Sequence, residues 1–470
     1  MKQNFLNSDA LSELSNEISG EVLRSVSRDP QERRRYVQAR EVFNGAVDAQ
    51  PAIIVLCKST QDVTKAIQFV KREGLNFSIR SGGHHAYGAS LMDQGVVIDL
   101  SHMTDFSYDV ENKTATLQPG CTWTSVNEET YKKHSLVLTH GECPSVLLAG
   151  YTLGGGYGLT SRAFGLGCDN LLSAEVVLAD GSVVQASSTE NKDLYWALRG
   201  GGGGNFGVVT SLTVRLHPLP QQVLCGMVAW PIDQAEDVMK FYRDLYQDEN
   251  TPDELSFCML MTNIPYPEGD PLIILYGVYA GEIEDGRQHI EKITSFGEPA
   301  VVNTSEAPYS DFMVGLGSEI PHGLKSKWRG GYLNEEGFSD SAIHSIVSEF
   351  KQQPSKYSQF RFDLLGGGAI ARVSKDETAF RHRDELFNLL IVSFWDHDSE
   401  AQINMKWVDE CVERLSRIFN GYNYQNYAND GLVDWQSAYY GGNYAKLQRV
   451  KKEYDKDNFF NSHQSIELPQ

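Results

Sequence analysis

The sequence predicts an α+β protein, and three observations predict it. Stretches with helical and strand periodicity are mixed along the chain without a regular βαβ alternation. Glycine is dense up to Pro218 and Pro220, after which longer elements of both kinds follow, so a domain boundary is expected there. With 470 residues the chain has room for two or three domains at about 150 residues each.

The elements justify themselves in order. Over 59–74, Ser59 and Asp62 have the spacing of a capping box, with Asp in place of the usual Glu. Val63, Ala66, Ile67 and Val70 make one apolar face, and Gly74 supplies a C-cap. Short strands are expected over 77–80, 96–100 and 114–118. The stretch 174–186 reads as a hairpin about Asp180-Gly181, a two-residue turn signal. Over 208–216 a strand puts Val208, Leu212, Val214 and Leu216 on one side, and the two prolines end it. Helices are expected over 233–247, 339–352 and 443–454, the last with Tyr444, Leu447, Val450 and Tyr454 on one broad face.

Composition excludes several functions. Acidic residues outnumber basic ones 62 to 41, and the net charge of −21 repels phosphate backbones and anionic lipid. Nucleic acid and membrane are therefore not expected partners. Hydrophobic residues at 41% and charged residues at 22% exclude wholesale disorder. Seven cysteines with no CxxC pair make neither a disulfide framework nor a zinc site, and no metal is expected. HExxH and GxSxG are absent, so a zinc hydrolase and an α/β-hydrolase lack their equipment. The longest uncharged stretch, 143–161, carries Pro144 and five glycines and reads as a loop rather than a membrane span. No apolar run of signal-peptide length stands at the N-terminus, and the three N-x-S/T sequons carry no weight without secretion. An intracellular, cytoplasmic protein is expected.

Three glycine clusters carry most of the functional information. They are IRSGGHHAYG (79–88), GECPSVLLAGYTLGGGYG (141–158) and RGGGGGNFG (199–207). Successive glycines let backbone N–H groups converge on a pyrophosphate without many side-chain charges, although any single cluster reads equally well as a turn. Gly202, Gly204 and Gly207 satisfy GxGxxG, but a helix-like DLYWALR precedes them and a strand follows, the reverse of a Rossmann context. His84 and Cys143 are the reactive side chains within these loops. Alone, a loop histidine is more often a surface residue and a lone cysteine a small buried hydrophobe.

Taken together, the ordered motifs resemble the berberine bridge enzyme-like branch of the vanillyl-alcohol-oxidase/PCMH flavoprotein superfamily. The R-x-G-G-H loop matches Arg80, Ser81, Gly82, Gly83 and His84, with Gly88 closing it. G-x-C-P-x-V before GGG-x-G matches Gly141, Cys143, Pro144 and Val146, then Gly154, Gly155, Gly156 and Gly158. DLYWALRGGGGGNFGVVT, with Gly207 and Val208, matches the third flavin-side motif. The ending at 440–466 matches the terminal segment, with Lys456 where proline is usual. The resemblance implies a two-domain fold: an FAD-binding domain over 1–220 (core about 46–220), a substrate domain with an antiparallel sheet over 221–434, and 435–470 returning to the first. It further implies FAD tethered twice, from His84 (rather than His85) to the 8α-methyl and from Cys143 to C6.

On the substrate side, Tyr427 in YQNYAND matches a tyrosine proposed as base in relatives, and Asp363 in RFDLLGGG matches an acidic position beside it in sugar-oxidising ones. A phenol titrates near 10, and a neighbouring carboxylate raises that further, so the pair reads as a relay rather than as an ionised tyrosine. Arg361 stands where sugar oxidases tend to carry glutamine, which admits an anionic substrate group. Leu390 replaces a usual Gln or Glu. Val146 resembles a small gatekeeper for oxygen, which Leu147 and Leu148 would crowd. The implied activity is oxidation of an alcohol with O2 reduced to hydrogen peroxide, the substrate a mono- or oligosaccharide oxidised at its C1 hemiacetal hydroxyl to the lactone. The 22 tyrosines suit sugar stacking. The alternatives are an oxidase or dehydrogenase of an aromatic or secondary-metabolite alcohol, and a non-catalytic FAD-binding protein, against which both tether residues argue. Oligomeric state is not predicted.

Overall fold

Ser59 accepts the amide of Asp62 and starts the helix Thr60–Glu73, which Gly74 ends at φ +63°. Its apolar face is fully buried. The return arm expected of Asp62 is not made: its carboxylate accepts instead from the amides of Ser19 and Lys58 and from the Ser19 hydroxyl. Ser19 arrives there because the preceding helix, Ser8–Glu17, packs on this one. The computed structural model describes residues 8–264, 269–318 and 323–469, so the first seven residues of the N-terminal reading lie outside it.

Three main sheets organise the chain. Glu21–Arg24, Ile53–Leu56, Val96–Asp99 and Phe77–Arg80 form a four-stranded sheet whose last three strands run parallel. Phe106–Asp109, Thr114–Leu117, Val208–Arg215, Leu171–Val177 and Val183–Ser187 form an antiparallel five-stranded one. The third sheet has seven antiparallel strands: Val301–Ala307, Val223–Pro231, Asp270–Tyr279, Leu255–Ile264, Gln359–Asp363, Asn388–Trp395 and Lys325–Tyr332. The helices Ala235–Gln247, Asp340–Phe350 and Ala401–Arg414 bury one face of that sheet against Phe257, Met259, Phe360, Phe362, Leu389 and Ile391. Alternate residues, among them Leu260, Arg361 and Leu390, face the other way. The fold is thus α+β, as expected.

Three local expectations need correcting. The hairpin at 174–186 exists, but Leu178 and Ser182 still pair across it, so the loop is Ala179-Asp180-Gly181 with Gly181 at φ +84°. The turn has three residues rather than two, and Asp180 stabilises it by accepting the Ser182 amide. In Val208–Arg215 a register shift between Val209 and Ser211 interrupts the alternation, and the Thr210 hydroxyl donates to Glu175. Val208 therefore packs with Ile98 and Val177, in a different core from Leu212, Val214 and Leu216. The stretch 143–161 is not loop throughout: Leu148–Leu153 forms a short helix that buries Leu148 and Leu153. Among the described residues no helix is long and apolar enough to cross a membrane.

The C-terminal helix Tyr444–Tyr454 packs on Lys192–Leu198. Its Lys451, 0% exposed, donates to Asp455, to the carbonyl of Asn205 in the third glycine loop and to that of Phe460. Asp455 in turn accepts the amides of Phe459 and Phe460. One buried ammonium thus fastens the chain end to the glycine loop. Lys451→Met leaves the buried Asp455 without a counter-charge and removes the donor to two carbonyls, and is expected to cost about 3 kcal/mol, measured by denaturant unfolding; a loss under about 1 kcal/mol would show the fastening to be dispensable.

Candidate active site

A cavity of about 760 Å³ lies between the glycine loops and the open face of the seven-stranded sheet. The first loop leaves the strand Phe77–Arg80. Arg80 is a brace behind it: its guanidinium lies 3.5 Å from Asp99 and donates to the carbonyls of Ala39 and Glu41. Gly83 sits at φ +71°, where a Cβ would come within 3.1 Å of the Arg80 Nε, so the loop can pass this brace only as glycine. Beyond it His84 stacks on Phe43 at 4.7 Å and brings Nε2 to 2.9 Å from the Ser145 hydroxyl. Cys143 Sγ lies 3.2 Å from the same hydroxyl. Imidazole and thiol, 59 residues apart in sequence, thus converge on one point at the cavity wall. Of seven cysteines only Cys143 is not buried. His85 also lines the cavity but stands edge-on to Tyr87 rather than against Ser145, and burial, with His463 nearby, lowers its pKa to about 4.

Ser81, Gly82, Gly83, Val146, Leu147, Gly207 and Val208 also line the cavity, with Gly202, Gly203 and Gly204 of the third loop. Arg80, Gly88, Gly154, Gly155, Gly156 and Gly158 do not. Leu148, expected to crowd Val146, is turned into the core instead. The 154–158 turn lies behind the wall, and a Cβ on Gly158 would stand 1.7 Å from the His140 carbonyl oxygen. The amides of Gly156 and Tyr157 donate to the Tyr424 hydroxyl. That contact fixes the segment carrying Tyr427.

Tyr427 donates to Asp363 Oδ2 at 2.6 Å. Asp363 is fully buried, and Arg361 Nε donates to its other oxygen at 2.7 Å. Two residues apart on one strand, Arg361 and Asp363 share a face, and the register sets Leu260 and Leu390 on either side of Arg361. By its sequence position Arg361 admits an anionic substrate group. Its two terminal nitrogens are instead engaged by Glu142, at 2.9 and 2.6 Å, and Glu142 also accepts from Tyr276 at 3.2 Å. Leu390 lines the cavity and packs with Tyr427. Donor atoms of Glu142, Cys258 and Asp363 lie within 4.8 Å of one another. The Arg361 guanidinium bridges both carboxylates, so this cluster is an ion-pair network rather than a metal site.

Sequence reasoning missed Glu142 and Tyr276. Glu142 had a signal, as the charge bordering the longest uncharged stretch beside Cys143. Tyr276, inside the apolar strand IILYGVY, had none.

The lining fits a large flavin nucleotide. Backbone-rich glycine loops stand at one side and an apolar sheet at the other. Ser90, Tyr151 and Thr262 are among the lining residues, and their hydroxyls have no hydrogen-bond partner among the described residues.

Comparison with known proteins agrees. Residues 51–187 match the FAD binding domain family and 423–467 the family described as berberine and berberine like. The chain is 31% identical to an uncharacterised FAD-linked oxidoreductase of Bacillus subtilis, over 94% of this chain and 96% of that one. It is 30% identical to the glucooligosaccharide oxidase of Sarocladium strictum, over 90% and 89%. The structure of Physcomitrella patens BBE-like 1 superposes with a TM-score of 0.86 at 27% identity, covering 98% of this chain and 99% of that one.

Burial, reinforced by Asp363 and opposed by Arg361, holds the Tyr427 phenol well above its ordinary 10. A raised phenol pKa means the neutral form persists. The difference in phenolate absorption between the wild type and Tyr427→Phe should therefore stay flat from pH 7 to about pH 10; a titrating band in that range would contradict the geometry.

Proposed function

Because the chain belongs to the berberine bridge enzyme-like family of FAD-linked oxidoreductases, we propose that it oxidises a CH–OH group with Tyr427 and Asp363 as its proton-handling pair. The observation that carries this reading is the 2.6 Å bond that Tyr427, on the cavity wall, donates to Asp363 buried behind it. Ring contacts lead from it through Trp328 and Phe43 to His84. Bound FAD would supply the hydride acceptor and the route by which two electrons and two protons reach O2 as hydrogen peroxide. In this reading residues 1–220 and 435–470 hold the FAD, through covalent bonds from His84 and Cys143, and 221–434 present the substrate.

The proton path follows from the pair. Tyr427 is too weak an acid to stand ionised at neutral pH, so it takes the substrate O–H proton only as its own proton moves to Asp363. Asp363 can wait there as a carboxylate because Arg361 compensates it. The pair also holds the substrate oxygen on one side of Tyr427 while Leu390 packs against the ring. Val146, small and on the cavity wall, leaves room for oxygen.

A mono- or oligosaccharide, oxidised at C1 to the lactone, is the first substrate reading; likeness to a glucooligosaccharide oxidase supports it. A second reading, an aromatic or secondary-metabolite alcohol, is favoured by one observation. Met227, Leu260, Ile264, Ile274, Leu390, Val392 and Phe394 make the sheet side of the cavity mostly apolar, with Thr262, Tyr276, Gln359 and Arg361 as its polar groups.

Three measurements test these statements. Acid-precipitated protein should keep its yellow colour, as should His84→Ala and Cys143→Ala, each with one bond left, while the double variant releases it; colourless wild-type pellets would refute the tethers. Tyr427→Phe should slow flavin reduction at least about 10²-fold, and an unchanged rate removes it from the mechanism. Peroxide release with cellobiose or lactose supports the sugar reading; release only with aromatic alcohols supports the second.

A further inference from the structure

We propose that Glu142 is a specificity-determining residue: by occupying the fork of Arg361 it turns the cavity against anionic substrates and reserves it for neutral ones. The inference rests on reading this cavity as the substrate site.

An arginine on a cavity wall ordinarily recruits a carboxylate or phosphate, because its planar fork offers two parallel N–H donors. Arg361 occupies such a position, with only Leu260 and Leu390 beside it in register. On the sheet itself only Asp363 competes with an incoming anion, and it takes Nε alone, leaving the two terminal nitrogens. The competitor for those comes from the opposite loop: Glu142 takes both terminal nitrogens, and Asp363 takes Nε. All three guanidinium nitrogens are thus committed. Two carboxylates against one guanidinium leave the cluster with a net charge of −1, in a wall where burial weakens screening.

Glu142 is poorly placed to yield. It is buried, its oxygens also accept from Tyr276, and its neighbour Cys143 is fixed through a carbonyl that accepts from Trp123 Nε1 at 3.3 Å. An anion would have to displace a bidentate partner and then sit beside two like charges. A neutral hydroxyl meets neither obstacle, since it needs only a donor or acceptor such as Tyr427. The chemical class admitted is therefore a neutral alcohol or polyol; aldonates, uronates and phosphorylated sugars are excluded.

The test is titration calorimetry of the purified holoenzyme with benzoate and its neutral isostere benzamide, which needs no turnover. Failure here is thus separable from failure of the oxidase reading, which rests on flavin reduction in Tyr427→Phe. Wild type should bind benzoate no more tightly than benzamide. Glu142→Gln should improve benzoate relative to benzamide at least about tenfold, and adding Arg361→Gln should abolish that gain. A wild-type preference for benzoate would overturn the proposal even if no variant folds. So would a Glu142→Gln variant in which the affinities for both probes change in parallel, as they would if Glu142 were merely structural.

Discussion

The inner wall of the cavity depends on one guanidinium held between two carboxylates. Asp363 is fully buried and would be an uncompensated charge without Arg361. At about 4 Å and an effective dielectric near 20, each attraction is worth roughly 4 kcal/mol before desolvation is subtracted. That compensation lets a carboxylate stand within hydrogen-bond reach of a buried phenol. The same guanidinium ties strand Gln359–Asp363 to the loop bearing Cys143. The Tyr427–Asp363 pair and the Cys143 loop are therefore positioned by one electrostatic joint between a sheet and a loop.

The glycine loops can be read in the same physical terms, although they do two different jobs. Those at 81–83 and 202–204 line the cavity, where absent side chains let backbone come close. The turn at 154–158 lies behind it and packs on Tyr424 and the His140 carbonyl. Sequence treats the three clusters alike, and only packing tells a lining loop from a supporting one.

Much of the fold was legible because local signals were strong. Ser59 and Gly74 bracket a helix whose apolar stripe leaves no ambiguity, and strand Phe77–Arg80 lies where its pattern puts it. What failed were features set by partners distant in sequence. Asp62 has the correct spacing for a capping box, yet its carboxylate goes to Ser19, which arrives from another helix. The bulge at Thr210 answers to Glu175 across the sheet. The site divided the same way. His84, Cys143, Tyr427 and Asp363 stood out by motif, and the structure brings the first two to one hydroxyl and the last two into contact. Glu142 escaped notice because its meaning lies in Arg361, 219 residues away.

The distribution of sulfur has a consequence for endurance. Cys57, Cys121, Cys168, Cys225, Cys258 and Cys411 are buried, and burial pushes each thiol well above its ordinary pKa. Oxidation to sulfenic acid proceeds through the thiolate, so these six resist it. The proposed reaction would release its oxidant, hydrogen peroxide, inside the cavity. Here the sulfur that opens onto the cavity is the one whose lone pair would already be committed to a carbon bond. Peroxide would then find no easy target among the thiols, which leaves exposed thioethers such as Met405 as the sulfur open to it.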